Sequence, residues 1–245
     1  MTVFMEYKYQ GIILNKIDVG ETDRLYIIYT LEAGRVAAKA IGVKKPNAKL
    51  AGNLEPLTYS DIFLAKGRGQ GNITGAIAVE NFSDIKGNIE FLEKVFGALK
   101  IFSRLVTQEE KDEEIFQLLL GYLLAMEREA EKSAQDNLKS DILTLGFIFK
   151  LLKKMGYAME TRKCNICGKK LISGENYFSA QLGGIICPNC ARSRQDKIRI
   201  TDETIKFIRL FLDNKIDNLG KIKTEKENLA NLKIITNEAV RWIVG

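Results

Sequence analysis

The four cysteines of the chain fall into two C-x-x-C pairs, and this spacing constrains the fold more than any other feature. Cys164 and Cys167 form the first pair, and Cys187 and Cys190 form the second after nineteen intervening residues. Two residues between cysteines let one tight turn aim both sulfurs at one ion, and two such turns complete a tetrahedron. We therefore expect one structural Zn²⁺ per chain, held by these four residues. Two disulfides are the alternative, which would suit a secreted protein.

Tyr177–Ser179 and Ile185–Ile186, between the pairs, predict two short strands joined as a hairpin by Gly183 and Gly184. Four thiolates close the coordination shell, so a catalytic metal with an open position is not expected. The chain contains no histidine, which removes the commonest general base and the Ser-His and Cys-His nucleophile pairs. We expect no catalytic residue and no enzymatic activity.

The basic charge of the chain is concentrated around the cysteines. The whole chain carries a net charge of +6, and residues 161–199 hold eight Lys and Arg against two acidic residues. Residues 81–160 hold eleven basic against fourteen acidic residues. A local basic patch indicates a polyanionic partner, usually nucleic acid. The alternative is that these cations offset the negative charge of four thiolates around one zinc ion.

The first third of the chain predicts a small β-barrel. Five short apolar runs without a helical period lie at residues 11–14, 25–29, 35–41, 58–64 and 73–79. Glu32-Ala33-Gly34 predicts a tight hairpin between the second and third strands. Five strands in about 75 residues fit an OB-fold.

Basic residues in this region predict a DNA-binding face. No acidic residue interrupts the run from residue 35 to 49, and two further cations, Lys66 and Arg68, lie on a hairpin whose glycine-rich turn spans 67–71. The predicted DNA-binding residues are Arg35, Lys39, Lys44, Lys45, Lys49, Lys66 and Arg68. OB-folds also stack bases on aromatic rings; the available rings are Tyr26, Tyr29, Tyr59 and Phe63, most of which we expect in the core. The runner-up DNA surface is Arg192, Arg194, Lys197 and Arg199 of the cysteine segment.

Helical periodicity begins near Asp84 and returns after the cysteines. One helix is predicted from Ile85 to Val106, and Thr107–Glu110 predicts a capping box for the next. A third ends at Gly156, and two more are predicted at 201–212 and 224–244. We therefore predict an α+β multidomain chain: an OB-fold β-barrel at 1–81, a helical domain at 82–160 and 200–245, and a four-cysteine zinc-finger module inserted at 161–199.

The chain resembles the RecO family of bacterial recombination mediators. The resemblance rests on the runs at 20–24, 34–36, 42–46, 54–56 and 67–71, together with the cysteine pairs and the order of the parts. It implies an OB-fold that binds single- and double-stranded DNA and anneals complementary strands. It also implies action with the partner RecR to load recombinase onto strands coated by single-strand-binding protein, whose acidic C-terminal tail the helical domain receives. Within that domain we assign the tail to neither of two basic–apolar clusters, at 150–155 and 206–211.

Two alternatives remain open from the residues alone. One is a divalent-metal nuclease using carboxylates, with Asp18, Glu21, Asp23 and Asp61 as candidates. The other is a zinc-ribbon adaptor that binds only protein. No apolar run approaches a membrane span and the first residues do not form a secretory signal, so we expect a cytoplasmic, nucleoid-associated protein without a membrane partner.

Overall fold

The computed structural model describes residues 5–48, 50–66, 71–107, 109–132 and 137–245. The chain divides into two compact units. The first comprises Met1–Lys86 and Val106–Leu120, and the second comprises Gly87–Leu105 and Gly121–Gly245. The sequence therefore leaves the first unit, returns to it briefly, and then remains in the second.

The first unit is built on a closed barrel with the strand order β1-β2-β3-β5-β4. The strands are β1 (Met5–Val19), β2 (Asp23–Thr30), β3 (Gly34–Ala40), β4 (Tyr59–Lys66) and β5 (Gly71–Glu80). All pairs are antiparallel except β3 with β5, which closes the barrel through a short parallel contact. This OB-like barrel confirms the predicted fold of the N-terminal region.

One long strand closes this barrel because it changes partner along its length. The N-terminal half of β1 pairs with β4, and its C-terminal half pairs with β2. A bulge between Ile13 and Asn15 shifts the register, and such bulges bend a strand and increase its twist. Ile13, Tyr26 and Ile28 point into the barrel core and are fully buried.

The turn between β2 and β3 lies beneath the segment that leads into α3 (Glu113–Lys132). Gly34 has a φ of +63°, and a Cβ there would stand 2.2 Å from the backbone oxygen of Glu110. The predicted capping box at residues 107–110 is wrong: the Asp112 carboxylate accepts the amide N–H of Ile115 at 2.9 Å instead. Asp112 therefore caps the N-terminus of α3.

The helices of the chain occupy the following ranges: α1 (Ser83–Gly87), α2 (Ile89–Leu105), α3 as above, α4 (Asn137–Lys154), α5 (Pro188–Ala191), α6 (Asp202–Asp213), α7 (Ile216–Leu219) and α8 (Lys226–Val244). The single helix predicted from residue 85 to 106 is broken at Asn88, whose side-chain oxygen accepts the amide N–H groups of Glu90 and Phe91. The predicted Gly156 cap is confirmed: its φ is +86°, and the following N–H bonds the oxygen of Leu152 at 2.8 Å.

The core of the second unit is aromatic. Tyr122 stacks on Phe147 with ring centroids 4.4 Å apart, and its hydroxyl hydrogen-bonds Thr144 at 3.0 Å. Helices α4 and α7 approach closely at Gly146, where an added Cβ would stand 2.3 Å from a methyl carbon of Leu219. Since α4 also packs with α6 and α8, and α2 packs with α8, the elements on both sides of the cysteine segment share the second unit, called the helical unit below.

The segment between α4 and α6, residues 155–201, is named here the cysteine module. It contains a three-stranded sheet in the order β7-β6-β8, with β6 (Asn176–Ser179), β7 (Gly184–Ile186) and β8 (Lys197–Ile200). The predicted hairpin is the β6–β7 pair. Strand β8 was not predicted because its four residues, Lys-Ile-Arg-Ile, carry too short an alternation to stand out.

Within the described residues, no helix is long and apolar enough to cross a membrane.

Candidate metal centre and nucleic-acid interface

The four cysteine sulfurs converge on one point. All four Sγ atoms lie within 4.8 Å of one another, and those of Cys167 and Cys187 are 3.9 Å apart. Ligands at about 2.3 Å in a tetrahedron around zinc are separated by roughly 3.8 Å. The four residues are therefore positioned to bind a metal ion. Among the described residues, no other group of three or more His, Cys, Asp or Glu side chains is positioned in this way.

The first pair sits on a tight turn closed by its own backbone. The amide N–H of Gly168 donates to the oxygen of Cys164 at 2.9 Å, and Cys164 N–H donates to Lys169 oxygen at 2.8 Å. Gly168 has a φ of +69°, which a residue with a side chain adopts only with strain. This glycine brings the chain back after Cys167 and keeps both sulfurs on one side.

The second pair sits at the start of a short helix. Cys187 precedes α5, with Pro188 at its first position, and Ala191 N–H donates to Cys187 oxygen at 3.0 Å. The amide N–H of Cys187 also points at the Cys164 sulfur, 3.4 Å away. A turn and a helix start thus present two sulfurs each.

The thiols have strongly unequal acidities. Burial opposes ionisation of Cys164, but amide N–H groups of Cys167, Cys187 and Ile166 outweigh it and lower the pKa of that thiol to about 6. The hydrogen bond with Cys187, burial and the neighbouring sulfurs raise the pKa of Cys190 to about 12. One thiol therefore loses its proton readily, whereas four neighbouring thiolates would repel one another. A divalent cation at their centre would offset that repulsion and stabilise the deprotonated cysteines.

Little apolar packing supports this centre by itself. Its buried cluster consists of Cys164, Ile186 and Ala191, with a few partly buried neighbours such as Leu171 and Tyr177. So small a core rarely holds a fold without a metal or disulfide. The donor set of four soft thiolates fits a tetrahedral ion such as zinc, with no position left open for a substrate.

The predicted DNA-binding residues of the barrel are only partly described. Lys49 and Arg68 lie outside the described residues, as does the side chain of Lys66. Arg35 and Lys39 lie on β3, and Lys44 and Lys45 follow in the next turn. The four described cations therefore come from one strand and the loop that continues it.

Two of these lysines already have carboxylate partners. Lys39 Nζ lies 2.8 Å from Asp23, and Lys44 Nζ lies 2.9 Å from Asp18, which also accepts a hydrogen bond from Arg24. The Lys39 ammonium, with the Gly42 amide, lowers the pKa of Asp23 to about 2. A phosphate group binding here would have to compete with these carboxylates.

Three of the four carboxylates offered as nuclease ligands are paired with cations. Asp18 and Asp23 form the ion pairs above, and Asp61 lies 2.8 Å from Lys8. Glu21 is exposed. The described residues contain no carboxylate cluster that would hold a divalent ion, so no observation supports the nuclease alternative.

The four candidate stacking rings of the barrel are buried or partly buried, and two of them pack against α3 rather than into the barrel core. Tyr26 and Tyr29 are buried, and Tyr29 stacks against Phe116 at 6.3 Å. Tyr59 also contacts Phe116, edge to face at 6.1 Å, and Phe63 is partly buried. Tyr26 and Tyr29 therefore cannot stack on a base, as expected for core residues.

The outer face of β1, β2 and β3 carries aliphatic residues instead. Ile17, Leu25 and Lys39 stand directly opposite one another across the three strands. Ile17 is 47% exposed and Ile41, just after β3, is 66% exposed. Sequence reasoning missed this row because the register between strands was not available to it.

Most cations of the second candidate DNA surface, in the cysteine module, already contact other groups of the chain. Arg194 pairs with Asp196 at 2.7 Å, and Lys197 donates to a backbone oxygen while lying over the Tyr177 ring. Arg199 is 3.8 Å from Glu175, and Arg192 is exposed. This surface is basic, but its charge is partly neutralised.

The fold and the site together define a class: OB-fold proteins whose helical unit carries an inserted four-cysteine metal centre. Two family models match the chain, Recombination protein O N terminal at residues 5–82 and Recombination protein O C terminal at residues 98–245. A DNA repair protein RecO from Dehalococcoides mccartyi is 32% identical over 244 residues, covering 100% of this chain and 93% of the relative. One from Roseiflexus sp. is 27% identical, covering 97% and 81%, and one from Pelotomaculum thermopropionicum is 25% identical, covering 96% and 88%.

The chain belongs to the RecO family, and its role is in recombinational DNA repair.

Proposed function

We propose that this protein is a non-enzymatic recombination mediator that binds single- and double-stranded DNA and anneals complementary strands. The observation that carries the proposal is the run of cations on β3 and its following loop, on a closed OB-like barrel in a chain of the RecO family. Proteins that bind single strands without reading sequence combine such a barrel with a positively charged track.

The proposed DNA face consists of Arg35, Lys39, Lys44 and Lys45, joined by Lys49, Lys66 and Arg68 from the sequence prediction. Each cation that neutralises a phosphate releases condensed counterions, so binding weakens as salt rises. Because Lys39 and Lys44 are held by Asp23 and Asp18, DNA gains their charge only by displacing those carboxylates. Moderate affinity follows, and it falls as salt rises.

Annealing requires no bond chemistry from the protein. Two polyanionic strands repel each other, and bound cations screen that repulsion where the strands meet. Basic residues in both units can supply this screening, on β3 and in the cysteine module. We therefore propose that annealing proceeds without ATP and without a divalent cofactor in solution.

We propose that the four cysteines hold one Zn²⁺ with a structural role. Four thiolates give a closed tetrahedral shell, and metal binding then supplies the folding free energy that the small apolar cluster around Cys164 lacks. The ion would fix β6, β7 and α5 relative to one another and take no part in a reaction.

The partners proposed from the family are RecR and single-strand-binding protein. A cleft of about 320 Å³ in the second unit is our candidate site for the acidic C-terminal tail of the latter. Lys153, Arg162 and Arg209 line it beside Met159 and Leu212, and the tail would compete there with the carboxylates of Glu160 and Asp213. The buried Nε of Arg209 has no hydrogen-bond partner among the described residues, so a carboxylate would satisfy it. With RecR, the protein would help to load recombinase onto coated strands at the bacterial nucleoid, in the cytoplasm.

The test is annealing of two complementary oligonucleotides, one with a fluorophore and one with a quencher, in buffer without Mg²⁺ or ATP. We expect the protein to accelerate quenching most at low salt, because added salt weakens its grip and also anneals the strands unaided. No acceleration over the protein-free control at low salt would refute the proposal. A Mg²⁺ requirement with strand shortening on a gel would assign a nuclease instead.

A further inference from the structure

A second cleft in the helical unit lies between the ends of α4 and α8 and the β6–β7 hairpin of the cysteine module. Its volume is about 450 Å³, within the range of small-molecule sites. Its floor is apolar, with Phe149 and Leu152 of α4 and Phe178 of β6. The residues that line this cleft include no residue of the proposed DNA face and no cysteine of the metal centre.

Two aromatic rings line the cleft and remain exposed. Tyr157 is 51% exposed and Trp242 is 58% exposed, although large aromatic side chains normally bury their area. Their backbones are well fixed: Tyr157 N–H bonds Leu152 oxygen directly after the Gly156 cap, and Trp242 lies in the last turn of α8. The cleft therefore offers two exposed rings, each carried on a fixed stretch of backbone, to a ligand.

The polar groups of the cleft are neutral amides. Asn165 donates its side-chain N–H to Leu182 oxygen at 2.6 Å, which leaves its Oδ1 as an acceptor. Gln181 accepts a hydrogen bond from Arg194 through Oε1, which leaves its amide N–H groups as donors. Among the described residues, no Lys, Arg, Asp or Glu lines the cleft.

This combination selects a flat, neutral ring with donors and acceptors on its edge. A peptide ending in a carboxylate would need a cation inside the cleft, as in the smaller cleft at Arg209, and there is none here. An unpaired nucleobase has two stacking faces and a mixed hydrogen-bonding edge. Arg194, bonded to the lining residue Gln181 and paired with Asp196, lies beside the cleft, and an adjoining phosphate would compete with Asp196 for it.

We propose that this cleft binds an unpaired base of single-stranded DNA, which stacks on Trp242, with Tyr157 as the second ring of the cleft. The proposal rests on the DNA binding proposed above and places base stacking in the helical unit, since Tyr26 and Tyr29 of the barrel are buried. A strand held this way exposes its other bases for pairing while one base anchors it.

The chain provides its own probe, because Trp242 is its single tryptophan. A thymidine oligonucleotide and an abasic oligonucleotide of equal length are titrated, with occupancy followed in parallel by anisotropy of an end label. At equal occupancy, we expect the thymidine strand to quench Trp242 fluorescence and the abasic strand to leave it unchanged. Equal fluorescence responses to the two strands would overturn the proposal.

Substitution gives a second, independent readout. Removing a stacking ring costs roughly five- to hundredfold in affinity, so Trp242→Ala should weaken thymidine binding by that order and leave abasic binding unchanged. Trp242→Phe keeps a ring and should retain most of the affinity, and Tyr157→Phe against Tyr157→Ala is the matched pair. Thermal unfolding verifies that each variant folds, which the exposure of both rings favours.

The outcomes separate this proposal from the proposed function. Anisotropy that reports binding, without quenching and without any effect of Trp242→Ala, overturns the base site and leaves DNA binding intact. Absence of anisotropy change with every strand overturns both. Quenching by an acidic peptide with a terminal aromatic residue, at concentrations where the thymidine strand gives none, assigns the cleft to protein and overturns the base site.

Discussion

Neutralising Asp18 should strengthen single-strand binding, because this carboxylate competes with phosphate for Lys44 and Arg24. Asp18→Asn leaves the side-chain shape unchanged and frees Lys44 Nζ, now 2.9 Å from the carboxylate. If one further phosphate is neutralised, the slope of log K against log salt steepens by roughly 0.7 on single strands. The ratio of variant to wild-type affinity then grows by roughly 2.6-fold for about a fourfold reduction in salt.

The assay is anisotropy of a labelled oligonucleotide at four or more salt concentrations, with Asp217→Asn as the matched control. Asp217 has the same charge and is 58% exposed against 56% for Asp18, and it likewise pairs with an arginine, Arg128, but in the helical unit. Asp217→Asn changes the net charge of the protein by the same amount, so it measures how much net charge alone alters DNA affinity. Equal slopes for the two variants would refute the idea that Asp18 restrains a DNA-binding lysine.

Three further outcomes test other parts of the structure. Elemental analysis of protein purified without added metal should find one zinc per chain. Cys187→Ser should lose the zinc and make the cysteine module sensitive to protease, while the barrel stays resistant. A protease-resistant module in the variant, or four free thiols in the wild type, would contradict the metal centre. Lys44→Glu with Lys45→Glu should flatten the single-strand salt slope by roughly 1.4, and an unchanged slope would move the DNA face elsewhere. Gly146→Ala should lower the free energy of unfolding by about 1–3 kcal/mol because α7 leaves no room for the methyl group. The control, Gly97→Ala in α2, has open space around it and should raise the free energy of unfolding by about 0.5–1 kcal/mol. Equal urea midpoints for the two variants would show that Leu219 moves aside at no cost in stability.

Features encoded by neighbouring residues were predictable from the sequence. The C-x-x-C spacing brought four sulfurs together, and Gly183-Gly184 marked the β6–β7 hairpin. Gly156 marked the end of α4, since only glycine adopts its left-handed conformation without strain. In each case the chemistry of a few consecutive residues determines the local structure.

Features that depend on distant partners were not predictable. The ion pair of Asp18 with Lys44 joins the end of β1 to the loop after β3, and no local pattern encodes it. The capping prediction at Thr107 failed because several acidic residues follow it, and α3 begins after one of these, Asp112, which accepts the amide N–H of Ile115. Tyr157 and Trp242 line one cleft only because α4 and α8 pack together across the inserted module.

The paired cations of the barrel have a consequence for the proposed annealing. A protein that anneals strands must hold each one long enough to meet its complement and then release the duplex. Cations without partners would bind phosphate tightly, whereas Lys39 and Lys44 have Asp23 and Asp18 to return to when DNA leaves. The carboxylates thus lower the affinity for DNA while keeping in place two lysines that a phosphate can recruit. On this reasoning Asp18→Asn, which should bind strands more tightly, should also slow the release of duplex and reduce the number of strands that each protein anneals.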